Sequence, residues 1–193
     1  MASTRSGRRD LESYSINGTE KIIRRGDCVL MQPEDLDDPL YVARVVKLEK
    51  DRDENVNVYV RWYYRPEDSK VGRRNFHGEK ELLLSDHYDW QSAYAIVGKC
   101  VVHSLTSYKA LKIIKEEDYF SRFEYRPFVS KGLGMSPKNV DVYCRCGLPY
   151  NPDENMVGCD GCGDWFHFTC VDLTYEEAIN RKNFFCPSCD LQK

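Results

Sequence analysis

The sequence has no hydrophobic run that approaches the length of a membrane span, which needs about eighteen or more consecutive apolar residues. Its first residues, MASTRSGRRDLES, are charged but precede no apolar stretch, so they lack the features of a secretory signal. Internal repeats and low-complexity tracts are also missing. We therefore expect a chain that stays on the reducing side of the membrane and has no membrane partner.

Motifs for catalysis are missing as well. Nothing in the sequence resembles a nucleophile–base pair, a phosphate-binding loop or an open metal site, which argues against an enzyme. The 193 residues favour two small domains over one large domain, because domains commonly contain ~100–200 residues. Hydrophobic residues make up 41% of the chain, which is enough for packed cores.

Cysteine is plentiful, and in a reducing compartment regularly spaced cysteines favour metal binding over disulfides. Seven of the nine lie between Cys144 and Cys189. The other two, Cys28 and Cys100, stand among apolar neighbours, so we interpret them as buried core thiols.

The charged residues are also unevenly distributed between the two parts of the chain. Residues 141–193 carry nine acidic and four basic side chains, which suits a cationic peptide better than a phosphate backbone.

Eight potential zinc ligands form four close pairs near the C-terminus. The pairs are separated by twelve, four and fifteen residues and are Cys144 with Cys146, Cys159 with Cys162, His167 with Cys170, and Cys186 with Cys189. Zn²⁺ prefers four tetrahedral nitrogen or sulfur donors, and each close pair supplies two from one turn. Eight donors make two closed sites, which are typical of structural rather than catalytic zinc, and so short a segment needs the metal in order to fold.

This spacing resembles a PHD finger more than a RING. The only histidine among the eight ligands, His167, is the fifth in order, and Trp165 stands two residues before it. The resemblance implies interleaved pairing: Cys144, Cys146, His167 and Cys170 at one zinc, and Cys159, Cys162, Cys186 and Cys189 at the other. Sequence order alone does not distinguish this pairing, and a RING-like ubiquitin ligase remains the enzymatic alternative. Thr174 and Glu177 have the spacing of a capping box, which predicts a short helix there.

Aromatic residues flank the zinc ligands, where stiff turns can hold rings around a quaternary ammonium ion. From chemistry alone, these rings could equally cover a small core. In PHD fingers that read trimethylated lysine near the H3 N-terminus, residues at these positions form a cage. The resemblance therefore implies a cage of Tyr143, Tyr150, Met156 and Trp165, and it assigns Asp160 to the second-residue arginine of the tail.

Before the finger, β-branched and aromatic runs separated by turn-rich segments predict a mainly β domain with short helices. The predicted strands are residues 28–31, 41–48, 56–64, 96–104 and 118–125, and a short helix is predicted near 86–95. We delimit a flexible N-terminal arm at residues 1–20 with a basic cluster at Arg5, Arg8 and Arg9, the first domain at 21–130, a linker at 131–140 and the zinc-binding module at 141–191.

Four segments of the first domain resemble a BAH domain: YVARV, RWYYRPED, GRRNFHGEKELLLSDH and GKCVVHS. A BAH domain before a PHD finger in so short a chain resembles the plant Early Bolting in Short Days and Short Life family, and the resemblance covers nearly the whole chain. It implies a β-barrel-like domain followed by a small two-zinc cross-brace finger. The linker differs from the family's usual stretch, and the chain ends four residues after Cys189, without the C-terminal tail that these proteins commonly carry.

The family resemblance implies a second cage, made of Tyr41, Trp62 and Tyr64, that reads H3K27me3. Asp86 and His87 lie in the matched SDH segment, at an implied peptide-contact edge. Strand alternation leaves another interpretation open. Along residues 56–64, Trp62 and Tyr64 share a face with three valines, so both rings could simply end a core stripe.

The function implied is that of a non-enzymatic nuclear chromatin reader. Its BAH domain would bind H3K27me3 and its PHD finger H3K4me2/3 on the histone H3 tail of a nucleosome. It would recruit repressor or histone-modifying complexes and repress developmental genes such as those that time flowering. Two structural Zn²⁺ ions per chain are the implied cofactors, and no sequence-specific DNA binding is expected. The non-enzymatic alternative is an interaction module whose BAH domain contacts protein or nucleosome surface without reading a mark.

Overall fold

The structure is a computed structural model that describes residues 7–128, 135–136 and 140–191. It divides into two compact units. The first contains the described residues up to Arg73 and from Lys80 to 136, and the second contains Arg74–Glu79 and residues 140–191. No helix in these described ranges is long and apolar enough to cross a membrane.

The first unit is built from short and medium strands with one short helix. In chain order these elements are β1 (Arg9–Asp10), β2 (Ser13–Ser15), β3 (Ile22–Arg24), β4 (Cys28–Met31), β5 (Tyr41–Lys50), β6 (Val56–Tyr64), β7 (Glu81–Ser92), β8 (Ile96–His103), α1 (Leu105–Lys109), β9 (Asp118–Tyr125) and β10 (Met135–Ser136). Valine and aromatic residues make up most of β6, because their side chains pack well on a pleated surface.

Six of these strands close into a barrel in the order β5-β4-β8-β9-β7-β6, because β6 also pairs with β5. All of the pairings around the barrel are antiparallel except those of β9, which runs parallel to β7 and to β8. The start of β5 and the end of β6 lie side by side, with Ala43 opposite Trp62. The predicted β-barrel-like domain is confirmed.

Two clusters of buried residues hold the barrel strands together. One contains Ala43, Val58 and Val60, and Trp62 packs against it. The other contains Val42, Leu82 and Cys100, with Cys28 and Tyr63 packed against it. Cys28 lies directly opposite Cys100 on the neighbouring strand. Cys100 is buried as predicted, whereas Cys28 is half-buried. Burial raises the pKa of Cys28, and raises that of Cys100 to about 12, so both thiols stay protonated.

The helix predicted near residues 86–95 is wrong. Strand β7 continues to Ser92, and only Ala93–Ala95 form a single 3₁₀ turn. The physical reason is cross-strand pairing: Trp90 lies opposite Tyr59 with ring centroids 5.0 Å apart, and Tyr88 lies opposite Arg61. Aromatic pairs of this kind stabilise a sheet by about 0.2–1 kcal/mol each.

The structure also differs from the sequence-based boundaries at both ends of the first domain. Within the expected flexible arm, β1 pairs with β5 and β2 pairs with β3. Ile16 is buried, and Leu11 and Tyr14 pack on the same cluster, so apolar contacts order this segment. Arg5 lies outside the described residues. So does most of the expected linker, of which Met135–Ser136 pair with β9.

The second unit is small and contains two-stranded sheets with short helices. Its elements are β11 (Val142–Tyr143), β12 (Leu148–Pro149), β13 (Met156–Gly158), β14 (Trp165–His167), a 3₁₀ turn (Phe168–Val171), α2 (Tyr175–Asn180) and α3 (Pro187–Asp190). Helix α2 begins at the predicted capping box, in which Thr174 and Glu177 bond reciprocally. Apart from cysteines, the buried cluster holds only Phe166, Leu173 and Phe184.

Candidate metal centres and aromatic pockets

The two predicted sets of four ligands come together in the structure. One group consists of Cys144, Cys146, His167 and Cys170, and the other of Cys159, Cys162, Cys186 and Cys189. Within each group the potential ligand atoms all lie within 4.8 Å of one another. This grouping is the interleaved one that the PHD resemblance implied, because the first and third ligand pairs share one centre.

The dimensions of both groups fit a tetrahedral metal. Zinc–sulfur bonds of about 2.3 Å place two sulfur ligands roughly 3.8 Å apart in a tetrahedron. The sulfurs of Cys162 and Cys186 are 3.9 Å apart. In the other group, His167 Nδ1 lies 3.4 Å from the sulfur of Cys146 and 4.0 Å from that of Cys170. The donor set and spacing therefore suit Zn²⁺, which His167 would bind through Nδ1.

The backbone prepares one cysteine in each group for metal binding. Burial opposes ionisation of Cys144, but backbone N–H groups, first that of Cys146, donate to its sulfur and lower its pKa to about 6. Burial also opposes ionisation of Cys159. The N–H groups of Cys186 and Gly161, 3.2 and 3.4 Å from its sulfur, help to lower the Cys159 pKa to about 6. Thiolates are the form that binds metal.

Two of the predicted cage residues of the finger, Tyr143 and Trp165, lie close in the chain to ligands of the first metal group. The rings of Tyr143 and Tyr150 meet edge to face, with centroids 6.5 Å apart. Trp165 is 52% exposed and lines a cavity of about 640 Å³ together with Tyr143. Because β13 and β14 pair in register, Met156 and Trp165 project from the same face of their sheet. The cavity thus brings together Tyr143 and Trp165, whereas Tyr150 and Met156 are not among its lining residues.

Two acidic residues, Asp160 and Asp164, lie beside the second ligand pair in the chain. The carboxylate of Asp160, predicted to take a tail arginine, already accepts a 2.7 Å hydrogen bond from the backbone N–H of Phe184. Asp160 N in turn donates to Phe184 O, so this residue also fastens the segment that leads to the last ligand pair. The exposed Asp164 precedes Trp165 and lines the same cavity. No motif in the sequence had singled out Asp164.

The three predicted cage residues of the barrel line a single open cavity of about 450 Å³. Tyr41 and Trp62 meet edge to face, with an interplanar angle of 83° and centroids 6.0 Å apart. Tyr64 stands on the same strand as Trp62, and its hydroxyl is 2.8 Å from His87 Nδ1. Two aromatic walls at right angles with a third ring nearby can enclose a methylated ammonium ion.

Of the two predicted peptide-contact residues, the structure brings His87 to the cavity, whereas Asp86 is exposed and is not among the lining residues. One residue that supports the aromatic wall of Trp62 and His87 was not identified from the sequence. Ser85 is fully buried, and its hydroxyl donates to Trp62 O at 2.7 Å and accepts from His87 N at 3.1 Å. Ser85 therefore joins the cage strand β6 to His87 on β7.

The rim of the barrel cavity is acidic. Asp68 and Asp89 both line it, and neither makes an ion pair with any other described residue. Arg65, also at the rim, donates to Leu40 O at 2.8 Å and so fastens the chain just before Tyr41. The cavity consequently combines aromatic walls with a surplus of negative charge, which favours a cationic ligand.

Comparison with known proteins follows the same division of the chain. The family profile of the BAH domain matches residues 21–134, and that of the PHD-finger matches residues 144–189. The chain is 53% identical over 185 residues to the chromatin remodeling protein EBS of Arabidopsis thaliana, covering 96% of this chain and 78% of that protein. It is 47% identical over 194 residues to the chromatin remodeling protein SHL of the same plant, covering 100% and 84%.

One solved structure supports the fold of the first unit. The crystal structure of the yeast Rsc2 BAH domain matches with a TM-score of 0.50 at 23% identity, covering 61% of this chain and 51% of that chain. At this level of identity the match shows a shared fold and nothing about ligands.

Proposed function

Because this chain belongs to the plant BAH–PHD family of chromatin proteins, we propose that it is a non-enzymatic nuclear reader of two methyl-lysine marks on histone H3. The barrel cavity binds H3K27me3, and the finger binds H3K4me2/3. Recruitment of repressor or histone-modifying complexes then represses developmental genes, including those that time flowering. Two structural Zn²⁺ ions hold the finger, each closed by four protein ligands.

The observation that carries this proposal is the barrel cavity. Tyr41 and Trp62 stand nearly perpendicular, Tyr64 lines the same space, and Asp68 and Asp89 add negative charge at its edge. A trimethylammonium group gains roughly 0.5–2 kcal/mol from an aromatic face. The carboxylates attract the basic side chains that surround lysine in histone tails.

The finger supports the second half of the proposal. Its β13–β14 sheet has two strands, and among the described residues no further strand pairs with β13. A free edge of this kind accepts an extended peptide as an added strand. Trp165 and Met156 project from the same face of this sheet, so a lysine in an added peptide strand would meet the predicted cage.

Two weak sites on one chain gain affinity through effective concentration when one nucleosome binds to both.

A titration of the intact, zinc-loaded protein with H3K4me3 and H3K27me3 peptides tests both assignments. Trp165→Ala removes an exposed ring that is not a metal ligand. We expect it to abolish H3K4me3 binding, leave two zinc ions per chain and leave H3K27me3 binding unchanged. Calorimetry supplies the affinities, and metal analysis supplies the zinc content.

The exposed ring of Tyr175 provides the matched control, because it lies outside the predicted cage. Tyr175→Ala should bind both peptides as the wild type does. The finger should also require a free H3 N-terminus, since peptides of this class are captured through their terminal amine. Equal affinity for an N-terminally acetylated H3K4me3 peptide would contradict tail reading by the finger.

Ser85→Ala tests whether the cage depends on its buried support. The substitution leaves Trp62 O and His87 N without the hydroxyl that joins them, which destabilises by about 1–3 kcal/mol. We expect H3K27me3 affinity to fall about tenfold, since ~1.4 kcal/mol corresponds to that factor, while H3K4me3 affinity is unchanged. Ser92→Ala, at the exposed end of the same strand, is the control. Unchanged H3K27me3 affinity in Ser85→Ala would show that this hydroxyl does not position the cage.

A further inference from the structure

Two arginines face each other across neighbouring strands of the barrel. Arg44 on β5 and Arg61 on β6 are direct partners in the antiparallel register. Like charges in this position destabilise a sheet unless an opposite charge compensates them. Neither side chain has a carboxylate within ion-pair distance among residues 7–128, 135–136 and 140–191. Their charge is therefore available to an external anion.

The two guanidinium groups turn away from each other. Arg44 Nε points to Gly26 O at 3.4 Å, towards β4, whereas Arg61 Nε donates to Ser85 O at 2.5 Å, towards β7. The Arg61 guanidinium also lies 5.6 Å from the centre of the Tyr88 ring. Cations spread in this way do not converge on one small anion. They suit a polymer that carries many negative charges along its length.

A third arginine without a described ion pair stands next to the glycine that Arg44 contacts. Arg25 immediately precedes Gly26, is exposed, and has no ion pair with any described carboxylate. It lines an open groove of about 610 Å³ with Arg24 and Lys47, and the carboxylates of Asp10 and Glu12 line the same groove. Lys47 is already neutralised, because its ammonium lies 2.8 Å from the carboxylate of Asp10. The cations of this groove that have no ion pair with a described carboxylate are thus Arg24 and Arg25.

We infer that Arg25, Arg44 and Arg61 form a docking surface for the phosphate backbone of duplex DNA. The inference rests on the proposed function only in placing the protein on chromatin, where a histone tail and DNA lie close together. Guanidinium groups bind phosphate well because their planar N–H groups match its oxygens. Such contacts carry no base readout, so the surface adds affinity without sequence specificity.

The arginine surface and the methyl-lysine cavity lie on opposite faces of the same strand. Along β5, Ala43 faces the core cluster that Trp62 packs against, and alternation directs Arg44 the other way. Asp68 and Asp89 stand at the cavity rim, whereas Arg44 and Arg61 stand on the opposite face of the β5–β6 pair. A cationic tail and DNA could therefore approach the barrel from different sides of these two strands.

Fluorescence anisotropy of the intact zinc-loaded protein with a labelled random-sequence duplex of roughly 20 base pairs tests this surface at low salt. Arg25→Ala combined with Arg44→Ala removes two cations that support neither the cavity nor a metal centre. We expect about a tenfold loss of DNA affinity. The slope of log K against log salt concentration should become less steep by about 1.8, because each phosphate contact contributes about 0.9.

The control is a double substitution of equal charge, Lys109→Ala with Lys112→Ala, at exposed positions in and after α1. It should leave DNA affinity and the salt slope close to those of the wild type. Wild-type protein that does not bind the duplex, or a lysine control that loses as much affinity as the arginine variant, would overturn the inference. H3K27me3 titration separates the two proposals, because the arginine variant should keep peptide binding and Trp62→Ala should keep DNA binding.

Discussion

Chelation of the two proposed zinc ions should unfold the finger and abolish H3K4me3 binding while the barrel keeps its fold. Among the described residues, the buried non-cysteine side chains of the finger's cluster are Phe166, Leu173 and Phe184, with a few partly buried residues packed against them. This is too little apolar surface to hold about fifty residues without metal. In such modules the free energy of metal binding supplies the free energy of folding. Near-ultraviolet circular dichroism and peptide titration, before and after chelation, measure the two effects.

Chelation should also loosen the structure of one segment that lies far from the finger in sequence. Arg74–Glu79 belong to the second compact unit. Asn151 donates to Asn75 O at 2.7 Å, and Glu79 N donates to the Asp153 carboxylate at 2.5 Å. When chelation unfolds the finger, these bonds are lost. Hydrogen exchange at residues 74–79 should therefore accelerate on chelation, whereas exchange in β6 should not change.

Cysteine substitutions provide the matched comparison. Cys159→Ser removes a buried ligand of the second group and should reproduce the effect of chelation on the finger. Cys28→Ser changes a half-buried thiol of the barrel that belongs to neither group, so it should keep the full zinc content. Native mass spectrometry of freshly purified wild-type protein should find two metal ions per chain. One ion or none would contradict the two-centre arrangement.

Much of the barrel could be predicted from the sequence because its strands carry their signal locally. The runs at Cys28–Met31 and Val56–Tyr64 are strands with the predicted bounds. The segment after Ser85 could not be assigned in this way. Its alternating polar and aromatic residues form a strand because Tyr59 and Arg61 lie opposite them, and these partners are distant in sequence. Local patterns do not contain such pairings.

The candidate sites were predictable where chemistry dictates the residue types. Metal ligands have a strict identity and spacing, so both groups follow from the sequence and the family resemblance. Supporting residues have no such signature. Ser85 is one of many serines in the chain until the fold places its hydroxyl between Trp62 O and His87 N. Asp68 and Asp89 become rim residues only through the meeting of separate segments.

Both sequence-based interpretations of Trp62 describe part of its environment. Its ring lines the cavity with Tyr41, and it also packs against the cluster that contains Val58 and Val60. Tyr63 projects to the opposite face, where it packs with Cys28 and Val42. Truncating Tyr63 would therefore disturb the barrel, which makes it unsuitable as a control for an exposed ring. Tyr94 is 62% exposed and lies outside the cavity, so Tyr94→Ala is the better comparison.

Trp62→Ala should abolish H3K27me3 binding and lower the stability of the barrel only partly. A fully buried tryptophan contributes about 3–5 kcal/mol, and for this partly buried ring we expect about 1–2 kcal/mol. Trp62→Phe keeps most of the packing but presents a weaker face to a cation, so it should retain the fold and lose several-fold in affinity. Thermal unfolding and calorimetry on both variants, beside Tyr94→Ala, separate the effect on packing from the effect on ligand binding.

A folded Trp62→Ala protein that binds the trimethylated peptide as the wild type does would rule out the cage. Full unfolding of Trp62→Ala, together with wild-type affinity in Trp62→Phe, would instead assign Trp62 to the core alone.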